Sequence, residues 1–232
     1  MAANAALLFK QSKSKNSLKR KTIFIMSWIE IFKDKKSIAD FIVTILFVVF
    51  VVVVFPEFLL FIEEREAVVM FDPFLNLFNP IDLTWTTFAL IYFSVIAAII
   101  SLINKPTYLF LALQSYGVML LFRMLVMYLS PLEAPEKIIP LHDPFVQMFG
   151  TGDILTKDLF FSGHTATMFV LFLAVKNKIL KVIFLITTIL VGLAVILQHV
   201  HYTVDVVAAP FFSYASYKIV LGIKQYLKVA VE

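Results

Sequence analysis

Long apolar runs, each bounded by charged residues, Pro or Gly, dominate the chain. A helix that crosses about 30 Å of hydrocarbon needs about 20 mostly apolar residues, and runs close to that length recur six times. The runs are too long for ordinary strands and lack a two-residue alternation, so they predict helices. We therefore expect an all-α polytopic membrane protein with six transmembrane helices. The predicted spans are 38–60, 83–103, 108–129, 159–175, 182–200 and 203–223.

The composition supports a lipid environment. Of the 232 residues, 61% are apolar and 16% are charged, whereas soluble domains carry about 25% charged residues. Twenty bases and sixteen acids cannot cover a domain of this size, so much of its surface must contact lipid. The chain has no cysteine, which excludes disulfides, thiol nucleophiles and thiolate metal sites.

Basic residues are distributed asymmetrically about the predicted spans. Sixteen lie on one side, whereas the alternate loops contain only Arg65, Lys137 and Lys157 together with ten acids. The positive-inside rule therefore predicts cytoplasmic termini and acidic loops that face the periplasm or a lumen. The net charge of +4 is explained by this topology and requires no nucleic-acid partner.

The same map predicts the organisation of the chain. Residues 1–37 form a basic cytoplasmic tail with an interfacial segment, residues 38–223 form a catalytic membrane domain, and residues 224–232 form a cytoplasmic tail. Compact loops, the lack of cysteine and the absence of any Asn-x-Ser/Thr sequon fit a bacterial inner membrane.

Four ionisable residues from three predicted spans lie at one depth near the outer boundary. Arg123 is six residues before the end of span three, roughly 9 Å beneath that boundary at 1.5 Å per residue. His164 lies about one turn into span four, and His201 and Asp205 are spaced to share one helix face at the start of span six. Burying an ionisable group costs at least about 2.5 kcal/mol, so their convergence predicts a functional site. The structural alternatives are interfacial histidines, a snorkelling arginine and a first-turn acid that complements the helix dipole.

These residue types suit phosphoryl transfer. The segment 162–165 places small residues, hydroxyls and backbone N–H groups at a helix start, which favours an anion. Arg123 adds a fork of donors for phosphate oxygens. Two histidines provide a nucleophile and a general acid, and Asp205 can orient one imidazole. The set predicts transfer through a covalent phosphohistidine.

A metal site is a competing interpretation, because His164, His199, His201 and Asp205 could all act as ligands. Residues at i and i+2 of a helix point to different sides, so His199 and His201 would share a metal only in a distorted turn. We therefore expect no metal, and we expect His199 to be a polar contact at the membrane boundary.

Two eight-residue stretches carry a family resemblance. Residues 158–165 (Asp-Leu-Phe-Phe-Ser-Gly-His-Thr) and 201–208 (His-Tyr-Thr-Val-Asp-Val-Val-Ala) closely resemble the two signature motifs of the sphingomyelin synthase family. That family is a branch of the type 2 phosphatidic acid phosphatase superfamily. Residues 123–135 resemble the family's segment before its large outer loop. The resemblance implies that superfamily's helical bundle and, with the cues above, a bacterial member.

The resemblance also implies roles for individual residues. His164, His201 and Asp205 correspond to a catalytic triad in which His201 attacks phosphorus, Asp205 holds it, and His164 protonates the departing oxygen. No cofactor is implied. The residues expected to bind phosphate or substrate are Arg123, Asp158, Ser162, Gly163, Thr165 and Tyr202.

Departures from the family patterns refine the prediction. The superfamily's motif of a Lys followed by an Arg-Pro pair is missing, and no Arg precedes His201 by six residues, which favours the sphingomyelin synthase branch. That branch's Cys-Gly-Asp is replaced by Thr156-Lys157-Asp158, so the identity of the head-group donor does not carry over.

The predicted function is transfer of a phosphate-bearing head group from a membrane phospholipid to the hydroxyl of a ceramide or diacylglycerol-like lipid. The first alternative is a lipid phosphate phosphatase or phospholipase C-like hydrolase that uses the same residues with water as acceptor. The second alternative is a non-catalytic transporter or scaffold, which the absence of an internal repeat disfavours.

Overall fold

Helices account for the regular structure in the computed structural model, which describes residues 28–142 and 155–229. Residues 1–27 of the predicted basic tail lie outside the described residues, as do Asp143 and Asp153, two of the ten acids in the predicted outer loops. The α-helices of the described residues are α1 (Trp28–Ile31), α2 (Lys35–Glu63), α3 (Thr84–Leu102), α4 (Pro106–Leu129), α5 (Gly163–Ala174), α6 (Lys178–Leu197) and α7 (Thr203–Tyr226).

Local chemistry fixes where several helices begin. The Asp34 carboxylate accepts a 2.9 Å hydrogen bond from the backbone N–H of Ser37 and so caps α2. Pro106 occupies the first turn of α4, where its missing N–H costs no helical hydrogen bond. The Asn177 side chain accepts from Ile179 N at 2.9 Å and caps α6. The two side-chain caps and the first-turn proline therefore fix where α2, α4 and α6 begin.

The all-α prediction is confirmed within the described residues. Five helices, α2, α3, α4, α6 and α7, are long and apolar enough to cross a membrane. The predicted fourth span, 159–175, is wrong in length, because α5 has only 12 residues and is about 18 Å long. Residues 159–162 are non-helical, since Ser162 has non-helical backbone angles and caps the helix that begins at Gly163.

The short helix α5 lies at the centre of the bundle, where α3, α4, α6 and α7 all pack against it. Ala166, Met168 and Ala174 on α5 are completely buried. By contrast, α2 packs on α4 and exposes apolar residues such as Val52 and Val53. Apolar faces of this kind are stable in lipid, and the protein is an integral membrane protein.

Hydrogen bonds between distant segments hold the chain before α5 and the turn between α6 and α7 in place. Gln198, just after α6, accepts from Leu83 N at 3.1 Å and donates to Thr84 Oγ1 at 2.9 Å and to the Ile139 carbonyl at 3.1 Å. The Glu63 carboxylate accepts hydrogen bonds from the backbone N–H groups of Thr156 and Lys157. The chain that leads into α5 and the chain that leads into α7 are therefore both fixed by hydrogen bonds.

Candidate active site

His201 and Asp205 form a buried pair at the start of α7. His201 is 1% exposed and Asp205 is fully buried. His201 Nδ1 lies 3.3 Å from Asp205 Oδ2, which also accepts a 3.2 Å hydrogen bond from Tyr202 N. If Nδ1 carries the proton and donates it to the carboxylate, the lone pair of Nε2 is available as a nucleophile.

The reason for this pairing differs from the one predicted. His201 precedes α7, which begins at Thr203, so the pair does not share a helix face. A tight turn after α6 positions His201 instead: His199 has a positive φ of 57°, and Val200 N donates to the Val195 carbonyl at 2.9 Å. The carboxylate of Asp205 then reaches back from the first turn of α7 to the histidine before it.

The two histidines of the predicted triad lie close together. His164 is the second residue of α5, and its ring centroid is 6.2 Å from that of His201. Its ring also lies near Phe88 of α3, with centroids 6.0 Å apart. The Ser162 N–H donates to the Asp205 carbonyl at 3.1 Å and ties the segment before α5 directly to α7.

Arg123 reaches the same place from α4. It is 3% exposed, so it does not snorkel to the surface. Its Nη2 donates to Asp158 Oδ1 in an ion pair, and its Cζ lies 5.8 Å and 5.9 Å from the ring centroids of Phe55 and Phe161. Its Nε has no hydrogen-bond partner among the described residues, a state that a bound ligand would relieve.

Gly163 allows this close approach. A Cβ added at position 163 would overlap the guanidinium of Arg123. Only glycine lets the arginine pack against the first turn of α5, where the helix dipole also favours an anion. The donors of Arg123 and the start of α5 therefore converge on one position beside the two histidines.

The hydrogen bonds of Ser162, Thr165 and Tyr202 show what these three predicted phosphate- or substrate-binding side chains contact. The Ser162 hydroxyl accepts hydrogen bonds from Thr165 N at 3.4 Å and Thr165 Oγ1 at 3.1 Å, so these two side chains hold the helix start. The Tyr202 hydroxyl donates to the Glu133 carbonyl at 2.9 Å and accepts from Met70 N at 3.2 Å. Tyr202 therefore links the segments around Met70 and Glu133 to the start of α7. Its hydrogen bonds give no support to the prediction that it binds substrate.

Asp72 supports the site without having been predicted. Its Oδ2 accepts a 2.6 Å hydrogen bond from Thr203 N, the first residue of α7. Burial alone would raise the pKa of the Asp72 carboxyl, but N–H donors from Thr203, Phe74 and Leu75 outweigh burial and lower its pKa. The two partners are 131 positions apart, so no local pattern in the sequence could have revealed the contact.

His199, which was predicted to be a polar contact at the membrane boundary, is buried. It is 2% exposed, and its ring packs edge to face on Phe78 with centroids 5.1 Å apart. It lines a cavity of about 420 Å³ with Asp72 and Tyr202. Among the described residues, no three His, Asp or Glu side chains cluster in a way that could hold a metal ion.

If Asp205 acts in the predicted triad, replacing it with Asn should lower kcat for lipid turnover by about 10³- to 10⁴-fold, since the amide cannot stabilise an imidazolium at His201. The shape of the side chain is nearly unchanged, so circular dichroism should report the wild-type helix content. The matched control is Asp82→Asn at an exposed residue that accepts from Thr84 N, which should keep the wild-type rate. An Asp205→Asn variant with more than half the wild-type kcat would contradict this role.

A comparison with known protein families matches the part of the chain that contains both predicted motifs. Residues 157–221 match the family described as PAP2 superfamily C-terminal, a little over a quarter of the chain. The match includes both predicted signature motifs and the helices between them. It supports the type 2 phosphatidic acid phosphatase superfamily and, in general terms, a membrane enzyme of the lipid phosphatase or phosphotransferase type. No curated protein and no solved structure matches the chain.

Proposed function

We propose that the protein is a lipid phosphotransferase of the sphingomyelin synthase type. It moves a phosphate-bearing head group from a membrane phospholipid to the hydroxyl of a ceramide or diacylglycerol-like lipid. The observation that carries this proposal is the 6.2 Å separation of the His164 and His201 rings, with Asp205 behind His201. Donors for a phosphate group lie alongside, and the proposed chemistry uses side chains alone, without a metal or cofactor.

The first step forms a covalent intermediate on His201. Its Nε2 attacks the phosphorus of the donor, a P–N bond forms, and the P–O bond to the diacylglycerol breaks. His164 donates a proton to the departing oxygen, and Asp205 stabilises the cationic ring of His201. The guanidinium of Arg123 and the first turn of α5 bind the non-bridging oxygens, where the phosphate competes with Asp158 for the arginine.

The second step releases His201. The acceptor hydroxyl gives its proton to His164, its oxygen attacks phosphorus, and the P–N bond breaks. Water in place of the lipid hydroxyl would make the same site a hydrolase, so the outcome depends on how well the site excludes water.

The proposed orientation follows from the charge distribution. The ends of α4, α5 and α7 that carry Arg123, His164 and Asp205 adjoin the acidic loops, which we assign to the outer side of a bacterial inner membrane. Both termini are then cytoplasmic. The catalytic membrane domain is assigned to residues 38–223, with residues 1–37 and 224–232 as cytoplasmic flanks.

Purified protein incubated with head-group-labelled phospholipid, with and without ceramide or diacylglycerol, tests the proposal. We expect the labelled head group to appear on the acceptor lipid, and we expect no such product when the acceptor is left out. Release of free phosphorylated head group at the same rate with and without acceptor would favour the hydrolase. No turnover of any phospholipid by folded protein would contradict both enzymes.

A further inference from the structure

A cleft of about 570 Å³ opens between α2 and α7, in the half of the bundle away from the candidate active site. Both helices pack mainly on α4, which leaves a gap between them. Its size lies within the roughly 300 to 1,000 Å³ of ligand sites. The apolar walls include Val43, Phe47, Val118, Leu121, Val220 and Ile223.

A buried ion pair lies among the residues that line this cleft. Lys224 of α7 is 2% exposed, and its Nζ donates to both carboxylate oxygens of Asp40 on α2 at 2.7 Å and 2.6 Å. Gln114 of α4 donates to Asp40 Oδ1 at 2.9 Å and to Thr44 Oγ1 at 2.6 Å. Because the charges are paired and hydrogen-bonded, they stay buried without a ligand. A ligand of the cleft would therefore bind mainly through apolar contacts.

The mouth of the cleft is basic. Lys36 lines it, and its Nζ donates to the Leu227 carbonyl at 3.3 Å. Lys33, Lys35 and Lys228 are exposed near the same ends of α2 and α7. Lysines at this depth attract the phosphate of anionic lipids in the adjoining leaflet. The cleft thus combines an apolar slot with a cationic entrance.

We propose that this cleft binds one acyl chain of an anionic phospholipid from the leaflet opposite the candidate active site, with the lipid phosphate at Lys36. A lipid chain is thin enough for the slot, and the lysines favour an anionic head group. The site is independent of the transferase chemistry.

Native mass spectrometry tests this site on the full chain purified from membranes that contain equal amounts of phosphatidylglycerol and phosphatidylcholine. Wild-type protein should retain one phosphatidylglycerol in preference to phosphatidylcholine. Val43→Trp should fill the cleft and abolish this retention, whereas Val52→Trp should retain the lipid as wild type does. Val43 and Val52 are matched, since both lie on α2 and are 58% and 59% exposed, but only Val43 lines the cleft.

A charge variant keeps the test informative if Val43→Trp fails to fold. Lys36→Gln should lower phosphatidylglycerol retention about five-fold, whereas Lys178→Gln, which removes an exposed charge at the start of α6, should leave it unchanged. Equal retention of the two lipids by wild type would overturn the proposal. So would equal retention by the Val43→Trp and Val52→Trp variants, or dimer masses that Val43→Trp converts to monomer.

Discussion

Replacing His201 with alanine should abolish lipid turnover, with a fall in kcat of roughly 10⁴-fold or more. His201 has a carboxylate behind it, at 3.3 Å from Nδ1 to Asp205 Oδ2. Without the imidazole no covalent intermediate can form, although Arg123 and α5 would still bind the phosphate. The measurement is turnover of labelled phospholipid by purified variant in detergent micelles, beside a thermal unfolding curve that shows whether the protein is folded.

His199→Asn is the matched control. His199 is also a buried histidine, two residues earlier in the same turn, and its φ of 57° is one that asparagine tolerates. This variant should fold and turn over lipid at close to the wild-type rate. Full activity in a folded His201→Ala variant would contradict the phosphohistidine mechanism. Equal loss in both variants, each folded, would show that the turn as a whole is needed rather than His201 as a nucleophile.

Replacing Gly163 with alanine should lower kcat/KM by about 10²- to 10³-fold, the loss expected when a preorganised phosphate donor is displaced. The added methyl group would overlap the guanidinium of Arg123, so the arginine must leave its position beside α5. Alanine is a good helix residue, and the start of α5 should still form. The effect should therefore appear in catalysis rather than in helix content.

Gly222→Ala is the control for this prediction. Gly222 lies near the end of α7 with no atom within 4 Å of an added Cβ. Alanine there should leave turnover unchanged and stabilise the helix by about 0.5 to 1 kcal/mol, measurable as a raised unfolding temperature. Wild-type kcat/KM in Gly163→Ala would contradict the proposed position of Arg123 during catalysis.

The apolar runs were sufficient to predict the helices, because burial of a helix in lipid requires sustained hydrophobicity along its length. The exception is the segment 159–162, where Leu159, Phe160 and Phe161 count as membrane-like but are not helical. Phe161 instead stacks on Phe212 of α7, with centroids 4.4 Å apart. Hydropathy shows that a side chain prefers an apolar environment, but it does not distinguish burial in lipid from burial against protein.

The candidate site was predicted from membrane depth, whereas its detailed contacts were not. Topology alone places Arg123, His164 and His201 near one boundary. The ion pair of Arg123 with Asp158 and the contact with Gly163 depend on how α4 packs on α5, which the order of residues does not reveal. The sequence also gave no signal for the pairing of Asp40 with Lys224, since the partners are 184 positions apart and both lie near predicted span ends.

The stereochemical course at phosphorus tests the central claim most directly. A phospholipid donor with a chiral phosphorothioate of known configuration, incubated with the protein and a lipid acceptor, yields a product whose configuration can be read by ³¹P NMR. Two successive displacements, first by His201 and then by the acceptor hydroxyl, predict retention of configuration. Inversion would mean a single direct displacement and would contradict the phosphohistidine intermediate.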